Sequence, residues 1–352
     1  MVSTRSRRGE VAGHLSVEKP TPDPATAGWP ERLLGLFRVF PPNVAWWLGG
    51  VLGDAFGRLP MRDQRRCRVH LAKAFPEKSP AWVEATARKT FRHFGRMAFW
   101  TLATLHRDPR ELRRGIIVEG AEHIRPLLQS AGRGQSALMF TGHFGNWELF
   151  ARVGSTFLPI AVIGRRLRSA LANRLIQASR AGGGAQVVYQ DSDVRTMLRV
   201  LRAGRNLATL PDQDIPRLAG TWVPWFGDLC LTPTGPAGLT MMAGGRAMST
   251  YLYWQHGSGP VGGGRWVAHF GPLMQFPARA SDGDRAAVLH RITAWSVAYH
   301  EAIVRRAPEQ WVWWHLRWRT RPPAGWNAPG SSGGGGEMAT KSTKDTKVEE
   351  RS

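Results

Sequence analysis

The sequence has few of the residues and motifs that define several large protein classes. It contains two cysteines, Cys67 and Cys230, among 352 residues. That is too few for a disulfide framework or a cysteine-based structural zinc site, and it suits a reducing compartment. It contains no Gly-x-Ser-x-Gly elbow, Walker loop, dinucleotide fingerprint or cluster of metal ligands. We therefore expect the protein to use neither a metal nor a cofactor.

A long uninterrupted apolar run is also missing near the N-terminus. Residues 1–28 are polar and proline-rich, without the apolar stretch of a signal peptide, and we expect them to be disordered. Residues 29–60 are apolar and aromatic, and the residues that interrupt them are Arg38, Pro41, Pro42 and Asp54. A spanning helix needs about 20 mainly apolar residues.

The stretch 29–60 therefore predicts two short amphipathic helices, Leu33–Phe40 and Val44–Phe56, which lie in a membrane interface. A buried helical hairpin and a transmembrane helix are the alternatives. Together with the tail, this divides the chain into a disordered start, a membrane-associating segment, a main domain over residues 61–323 and a flexible tail over 324–352.

Acidic residues are outnumbered in this chain. Lys and Arg total 48 against 26 Asp and Glu, which gives a formal net charge of +22. Such a surplus implies an anionic partner: nucleic acid, an acidic membrane surface or an acidic substrate. The 16 tryptophans favour a membrane, because Trp collects at membrane–water interfaces. Single-strand nucleic-acid binders also use aromatic residues, but no nucleic-acid-binding motif is present, and we expect no nucleic-acid partner.

The main part of the chain alternates short apolar runs with helical patterns. Residues 61–115 are predicted to be helical, and short predicted strands begin at Ile116. The helices between these strands are about ten residues long, including ones over 169–180 and 232–244. This alternation predicts an α/β fold in which helices flank a mixed, mostly parallel central sheet.

The stretch Ser136–Arg152 reads as strand, tight turn and helix, with His143 at the end of the strand. Open α/β sheets place reactive groups outside the carboxyl ends of their strands, and a histidine there can act as a base. Glu148 is the nearest carboxylate, but five residues on a helix are roughly 140° apart. The pair can meet only if His143 lies in the turn before the helix, for which Asn146 is a natural N-cap.

A second acidic group ends another predicted strand. Asp212, Gln213 and Asp214 follow the strand at 206–210 and should open on the same edge of the sheet as His143. Either aspartate could orient His143 in place of Glu148, or could position a substrate hydroxyl. Alternatively, these carboxylates simply cap backbone amides in a loop.

Arginines and tryptophans supply the remaining candidate features. After the strand at Ile160 the chain carries Arg165, Arg166, Arg168, Arg174 and Arg180. Most of them fit a solvated basic face, and one or two could bind a phosphate or an oxyanion. In residues 308–322, Trp and Arg alternate. This pattern indicates a segment packed on the core through its tryptophans, a lip at the membrane, or both.

Separated blocks of the sequence resemble one known family, in the order found there. The blocks are TGHFGNWELF, GRRLRSALANRLIQASRAGG, LRAGRNLATLPDQD, WVPWFGDLCLTPTGPAGL and PEQWVWWHLRWRTRPP. Over residues 30–323 the chain resembles the lysophospholipid and lipid A late acyltransferases. The resemblance implies a glycerolipid acyltransferase-like fold at the cytoplasmic face of the bacterial inner membrane. It also implies transfer of an acyl group from acyl carrier protein or coenzyme A to a glycolipid hydroxyl, most readily that of a lipid A precursor.

The resemblance also implies roles for individual residues. The family's His-x4-Asp/Glu motif falls on His143 and Glu148, and its arginine after the third strand falls on Arg180. In the resulting hypothesis His143 is the general base, a carboxylate from Glu148, Asp212 or Asp214 holds its ring, and Arg180 stabilises the oxyanion or a phosphate. The residues expected to bind substrate are Asn146, Arg165, Asp212, Gln213 and Asp214.

Other functions remain open at this point. The acceptor could be another glycolipid or a lysophospholipid, as for the phosphatidylinositol mannoside acyltransferases, or an amino-acid lipid. A thioesterase could use the same histidine to release free fatty acid without an acceptor. A non-catalytic protein that binds anionic membranes would keep the basic and Trp-rich features but would not need His143 at a strand end.

Overall fold

The computed structural model of the chain describes residues 39–129, 135–165, 184–257 and 263–330. The predictions for residues 1–28, for the helix over 169–180 and for the tail beyond residue 330 lie outside these ranges. So does the predicted segment 33–40, except for its last two residues.

The helices of the described part lie mostly where the sequence predicts them. They are α1 (Pro42–Gly57), α2 (Arg62–Ala74), α3 (Pro80–Thr104), α4 (Pro109–Arg114), α5 (Ala121–Gln129), α6 (Trp147–Val153), α7 (Val194–Arg202), α8 (Gly235–Met242) and α9 (Asp282–Arg306). Short 3₁₀ turns follow α6 at Gly154–Thr156 and α9 at Pro308–Gln310. The start of α3 follows from local chemistry, because the Ser79 hydroxyl accepts the Trp82 N–H at 3.2 Å.

The strands build one large sheet and one separate hairpin. They are β1 (Ile116–Glu119), β2 (Leu138–Phe140), β3 (Ile160–Gly164), β4 (Gln186–Tyr189), β5 (Asn206–Thr209), β6 (Gly220–Trp225), β7 (Asp228–Pro233), β8 (Arg246–His256), β9 (Gly264–Phe270) and β10 (Met274–Gln275). The order in the sheet is β1-β9-β8-β2-β5-β3-β4, with β10 beside β8, while β6 and β7 pair with each other.

Most neighbours in the large sheet are parallel. The strands β8, β2, β5, β3 and β4 run in one direction. The strands β9 and β10 are antiparallel to β8, and β1 is parallel to β9. The predicted fold class, a mixed and mostly parallel sheet flanked by helices, is therefore confirmed. Because β2 and β5 are adjacent and parallel, the chain segments that follow them leave the sheet side by side.

The hairpin β6–β7 corrects one prediction. A helix was expected from residue 232, but Thr232 is still in β7, and the helix begins only at Gly235. The turn of the hairpin places Phe226 and Gly227 at φ 49° and 83°. Two successive residues with positive φ match the twist of a tight hairpin, which favours strands over an early helix start.

The helices α1 and α3 pack backbone against backbone. A Cβ atom added to Gly49, Gly53 or Gly95 would meet main-chain atoms of the facing helix closer than 3.0 Å. This contact fixes α1 against α3 and leaves an apolar stripe on the outer side of α1. The exposed side chains of the stripe are Val44, Trp47, Val51, Leu52 and Phe56. Within the described ranges, no helix combines the length and apolarity needed to cross a membrane.

The C-terminal segment after α9 packs into an aromatic core. The side chains of Trp311 and Trp313 are fully buried, as is that of Trp225 from β6. Arg317 is buried with them, and its guanidinium donates to Leu231 O and Thr232 Oγ1 of β7. Trp311 and Trp313 are therefore structural residues of the core, as the prediction of a segment packed through its tryptophans requires.

Candidate active site

His143 lies in the turn between β2 and α6, at the edge where β2 and β5 end. The Thr141 N–H donates to Thr209 O at 2.9 Å, which keeps the two strand ends together just before the turn. Gly145 has φ +61°, and a Cβ there would collide with Leu252 O. Only glycine adopts this conformation in this space without strain. His143 thus lies in the turn before α6, which is the condition under which His143 and Glu148 could meet.

His143 meets Asp212 through two hydrogen bonds. The ring Nδ1 lies 2.8 Å from Asp212 Oδ1, and the backbone N–H of His143 donates to Asp212 Oδ2, also at 2.8 Å. A third donor, the indole Nε1–H of Trp311, reaches Asp212 Oδ2 at 3.0 Å. The Asp212 side chain is 3% exposed, whereas that of His143 is 22% exposed. The carboxylate is thus buried behind a histidine that reaches solvent.

The electrostatics keep Asp212 charged. Burial raises its pKa, but the neighbouring His143 and His300 outweigh burial and hold the pKa well below its usual range. An ionised carboxylate can only accept, so His143 Nδ1 carries the hydrogen of this bond. When this is the only hydrogen on the imidazole, Nε2 has a lone pair that can take a proton.

Glu148 contacts Trp147, which packs on His143, whereas Gln213 lies directly against the His143 ring. Glu148 Oε1 accepts the indole N–H of Trp147 at 3.2 Å, and this indole meets the His143 ring edge-on at 5.1 Å between centroids. Gln213 Nε2 is 3.4 Å from His143 Nδ1 and 3.3 Å from Nε2. Of the three candidate carboxylates, the structure therefore places Asp212 on the ring nitrogen.

The other predicted site residues have partners of their own or lie apart from the pair. Asn146 is buried and caps α6, with its Oδ1 accepting the Leu149 N–H. Asp214 accepts the N–H and hydroxyl of Thr320 at 2.6 and 2.8 Å, which ties the C-terminal segment to the site. Arg165 is exposed at the end of β3. Arg180 lies outside the described residues.

Sequence reasoning missed His315 and His300. The ring of His315 lies 5.2 Å from that of His143, and burial together with the neighbouring His143 lowers the pKa of His315 to about 4. His300 lies on the far side of Asp212. The motif PEQWVWWHL could have pointed to His315, since it carries the resemblance. Nothing local distinguishes His300 from the other residues of a long helix.

The arrangement offers a base and its carboxylate but no cysteine nucleophile. Both cysteines are buried, and burial raises the pKa of Cys67 to about 12 and also raises that of Cys230. In the part of the chain that the structure describes, no three His, Cys, Asp or Glu side chains are grouped to hold a metal ion. The site is therefore suited to activating a hydroxyl for direct attack on an acyl donor.

Comparison with known proteins gives matches that each cover more than three quarters of the chain. The model of the bacterial lipid A biosynthesis acyltransferase family matches residues 32–320. The chain is 27% identical over 276 residues to the lipid A biosynthesis lauroyltransferase of Escherichia coli K12, which covers 77% of this chain and 85% of that protein. It is 26% identical over 294 residues to the lipid A biosynthesis palmitoleoyltransferase of the same strain, covering 82% and 90%.

Proposed function

The chain belongs to the bacterial lipid A biosynthesis acyltransferase family and is an acyltransferase, and we propose that it transfers a fatty acyl group to a hydroxyl of a lipid A precursor. The family membership confirms the resemblance found in the sequence. The proposed donor is a thioester, carried by acyl carrier protein or by coenzyme A. The two relatives described above are named for acyl transfer in lipid A biosynthesis, which supports this acceptor.

The pair of His143 and Asp212 is the observation that carries the proposed mechanism. His143 Nε2 takes the proton of the acceptor hydroxyl while Asp212 holds Nδ1–H and stabilises the imidazolium that forms. The hydroxyl oxygen attacks the thioester carbonyl and forms the new C–O bond. The C–S bond then breaks, and the proton on His143 passes to the departing thiolate. Donor and acceptor thus react directly, without an acyl-enzyme.

The remaining predicted site residues receive supporting roles in this proposal. Arg180 is proposed to stabilise the oxyanion of the tetrahedral intermediate or a phosphate of the acceptor. Gln213, which lies against the His143 ring, and Arg165 are proposed to contact substrate. Asn146 and Asp214 act through the turn and the C-terminal segment that they hold.

We propose that the protein works on the cytoplasmic face of the bacterial inner membrane. The exposed apolar stripe of α1 can enter the interface, and a net charge of +22 attracts anionic lipid and an acidic carrier protein. In this arrangement a lipid acceptor reaches the site without leaving the membrane.

The direct test is an acyl-transfer assay with the full-length protein in vesicles of anionic phospholipid. Acyl carrier protein and coenzyme A thioesters are offered in turn with a lipid A precursor, a lysophospholipid or no acceptor. We expect the mass of the lipid A precursor to increase by one acyl chain, and the His143→Ala variant to lose about 10²–10⁴-fold in rate. Free fatty acid formed equally without an acceptor would identify a thioesterase. Consumption of neither thioester would favour a non-catalytic membrane-binding protein.

A further inference from the structure

A chain of buried polar groups continues behind Asp212, away from the substrate side. His300 of α9 is 4% exposed. Its Nε2 lies 3.7 Å from Asp212 Oδ2, and its Nδ1 lies 3.2 Å from the hydroxyl of Tyr251 in β8. Its ring lies nearly parallel to that of Trp225, at 5.2 Å and 16°, and to that of Tyr251, at 5.4 Å and 21°. The imidazole is therefore packed against two aromatic rings and faces a polar group with each nitrogen.

The protonation states of Tyr251 and His300 determine which group donates in each of these contacts. Burial, reinforced by the Asp212 charge, raises the pKa of Tyr251 well above its usual range, so the phenol keeps a hydrogen to donate. Burial also lowers the pKa of His300 despite the neighbouring Asp212, so the ring is neutral. A neutral imidazole carries one N–H. If Tyr251 donates to Nδ1, the hydrogen of His300 is on Nε2 and faces Asp212.

The oxygen that His300 faces is the one already fixed by two other donors. Asp212 Oδ2 accepts the His143 backbone N–H and the Trp311 indole N–H, while Oδ1 is left for His143 Nδ1. Among the described residues, His300 Nε2 is buried without a hydrogen-bond partner, Asp212 Oδ2 lies 3.7 Å from it, and a cavity of about 10 Å³ borders both side chains. A donor at this point would keep the carboxylate from rotating.

We propose that His300 is a positioning residue: it passes the hydrogen-bond direction from Tyr251 to Asp212 and thereby keeps the Asp212 carboxylate on His143 Nδ1. This inference rests on the proposed role of His143 as general base. His300 touches no reacting atom, and its effect is on the orientation and tautomer of the base. When Asp212 accepts only, His143 holds its hydrogen on Nδ1, and Nε2 is free to take the hydroxyl proton.

Two variants of His300 distinguish the roles of its two ring nitrogens. The amide nitrogen of His300→Gln reaches about as far as Nε2, whereas that of His300→Asn reaches only about as far as Nδ1. We expect His300→Gln to keep kcat within about threefold of wild type. We expect His300→Asn to lose about tenfold or more in kcat with KM unchanged, in the range seen when a group that orients a catalytic ligand is removed. Tyr251→Phe should also lower kcat, because His300 Nδ1 then has no donor to keep its hydrogen on Nε2.

Tyr299→Phe is the matched control, because the Tyr299 hydroxyl bonds to His269 Nε2 at 2.8 Å and not to His300. It should leave kcat unchanged. Melting temperatures establish that each variant is folded, and if His300→Asn does not fold, Tyr251→Phe against Tyr299→Phe decides. Equal losses in His300→Gln and His300→Asn would overturn the proposal, as would wild-type kcat in both His300→Asn and Tyr251→Phe.

A readout without substrate distinguishes this inference from the proposed function. Nitrogen-15 NMR of labelled histidines reports which ring nitrogen of His143 carries hydrogen, whether or not an acceptor is known. We expect hydrogen on Nδ1 in the wild type and in His300→Gln, and a mixture of tautomers in His300→Asn. The same tautomer in all three proteins would overturn the role of His300 and leave acyl transfer untouched. A wild type with the expected tautomer but without transfer to any acceptor would count against the proposed function alone.

Discussion

The ring of His300 occupies the space that a side chain on Gly142 would need. A Cβ atom added to Gly142 would lie closer than 3.0 Å to Cε1, Nε2 and Nδ1 of that ring. The turn that carries His143 therefore packs directly against the His300 ring, because residue 142 has no side chain. The turn that positions His143, the proposed base, is therefore packed against His300 as well as bonded to Asp212.

Gly142→Ala should consequently damage both stability and activity. The added methyl group must push the His300 ring off Trp225 or move the turn, and overpacking of this kind costs about 1–3 kcal/mol in the free energy of unfolding. Gly283→Ala in α9 is the control, because a Cβ there has no neighbour within 4 Å. Urea unfolding and the acyl-transfer rate measure the two effects. A Gly142→Ala protein as stable and active as Gly283→Ala would show that the contact is not needed.

Asp212→Asn should be far slower than Glu148→Gln. An asparagine can place an N–H toward His143 Nδ1, which moves the ring hydrogen to Nε2 and removes the base. We expect a loss of about 10²–10⁴-fold in kcat. Glu148→Gln keeps the side-chain oxygen that accepts the Trp147 N–H and should stay within about threefold. The reverse ranking in a steady-state assay would return the orienting role to Glu148.

The sequence was sufficient to predict that His143 and Asp212 lie at the same edge of the sheet. Each follows a short apolar run, and the ends of neighbouring parallel strands lie together at one edge of a sheet. It was not sufficient to choose among Glu148, Asp212 and Asp214. That choice depends on the turn at Gly142–Gly145 and on β2 and β5 being neighbours, which are properties of the folded sheet.

Other features depended entirely on tertiary packing. His300 lies in a helix whose sequence does not mark one histidine among its neighbours, and its contact with Gly142 follows only from how α9 crosses the sheet. The hairpin β6–β7 was missed because β6 contains Pro224 and β7 ends at Pro233, and proline within an apolar run argues against a strand. In both cases the local pattern carried less information than the packing did.

Trp47→Ala should weaken membrane binding without weakening the fold. Trp47 is 65% exposed in the apolar stripe of α1, so its removal leaves the core intact but removes a large interfacial side chain. We expect about tenfold weaker binding to vesicles of anionic phospholipid, which corresponds to about 1.4 kcal/mol. Val69→Ala on α2 is the control, since Val69 is 57% exposed but lies outside the stripe. Equal binding by Trp47→Ala and the wild type in vesicle flotation would remove α1 from the interface.

Acidification should destabilise the protein partly through His93, which lies buried in α3. Burial lowers the pKa of His93 to about 4, whereas a histidine in the unfolded chain titrates near 6.5. The unfolded state therefore binds more protons between these two values, so the stability from His93 is fully present above about pH 6.5 and is lost as the pH falls toward 4. Between pH 7 and pH 5 this single group should lower the free energy of unfolding by about 2 kcal/mol.

The variant His93→Gln isolates that contribution. Glutamine does not titrate in this range, so the difference in unfolding free energy between wild type and His93→Gln should shift by about 2 kcal/mol against the wild type from pH 7 to pH 5. Phe94→Leu is the control. The Phe94 ring packs edge-on to His93 at 5.2 Å, but phenylalanine has no group that titrates. The wild type minus Phe94→Leu difference should be the same at both pH values. If His93→Gln behaves like Phe94→Leu in urea unfolding at pH 7 and pH 5, His93 is not the buried neutral group that loses stability in acid.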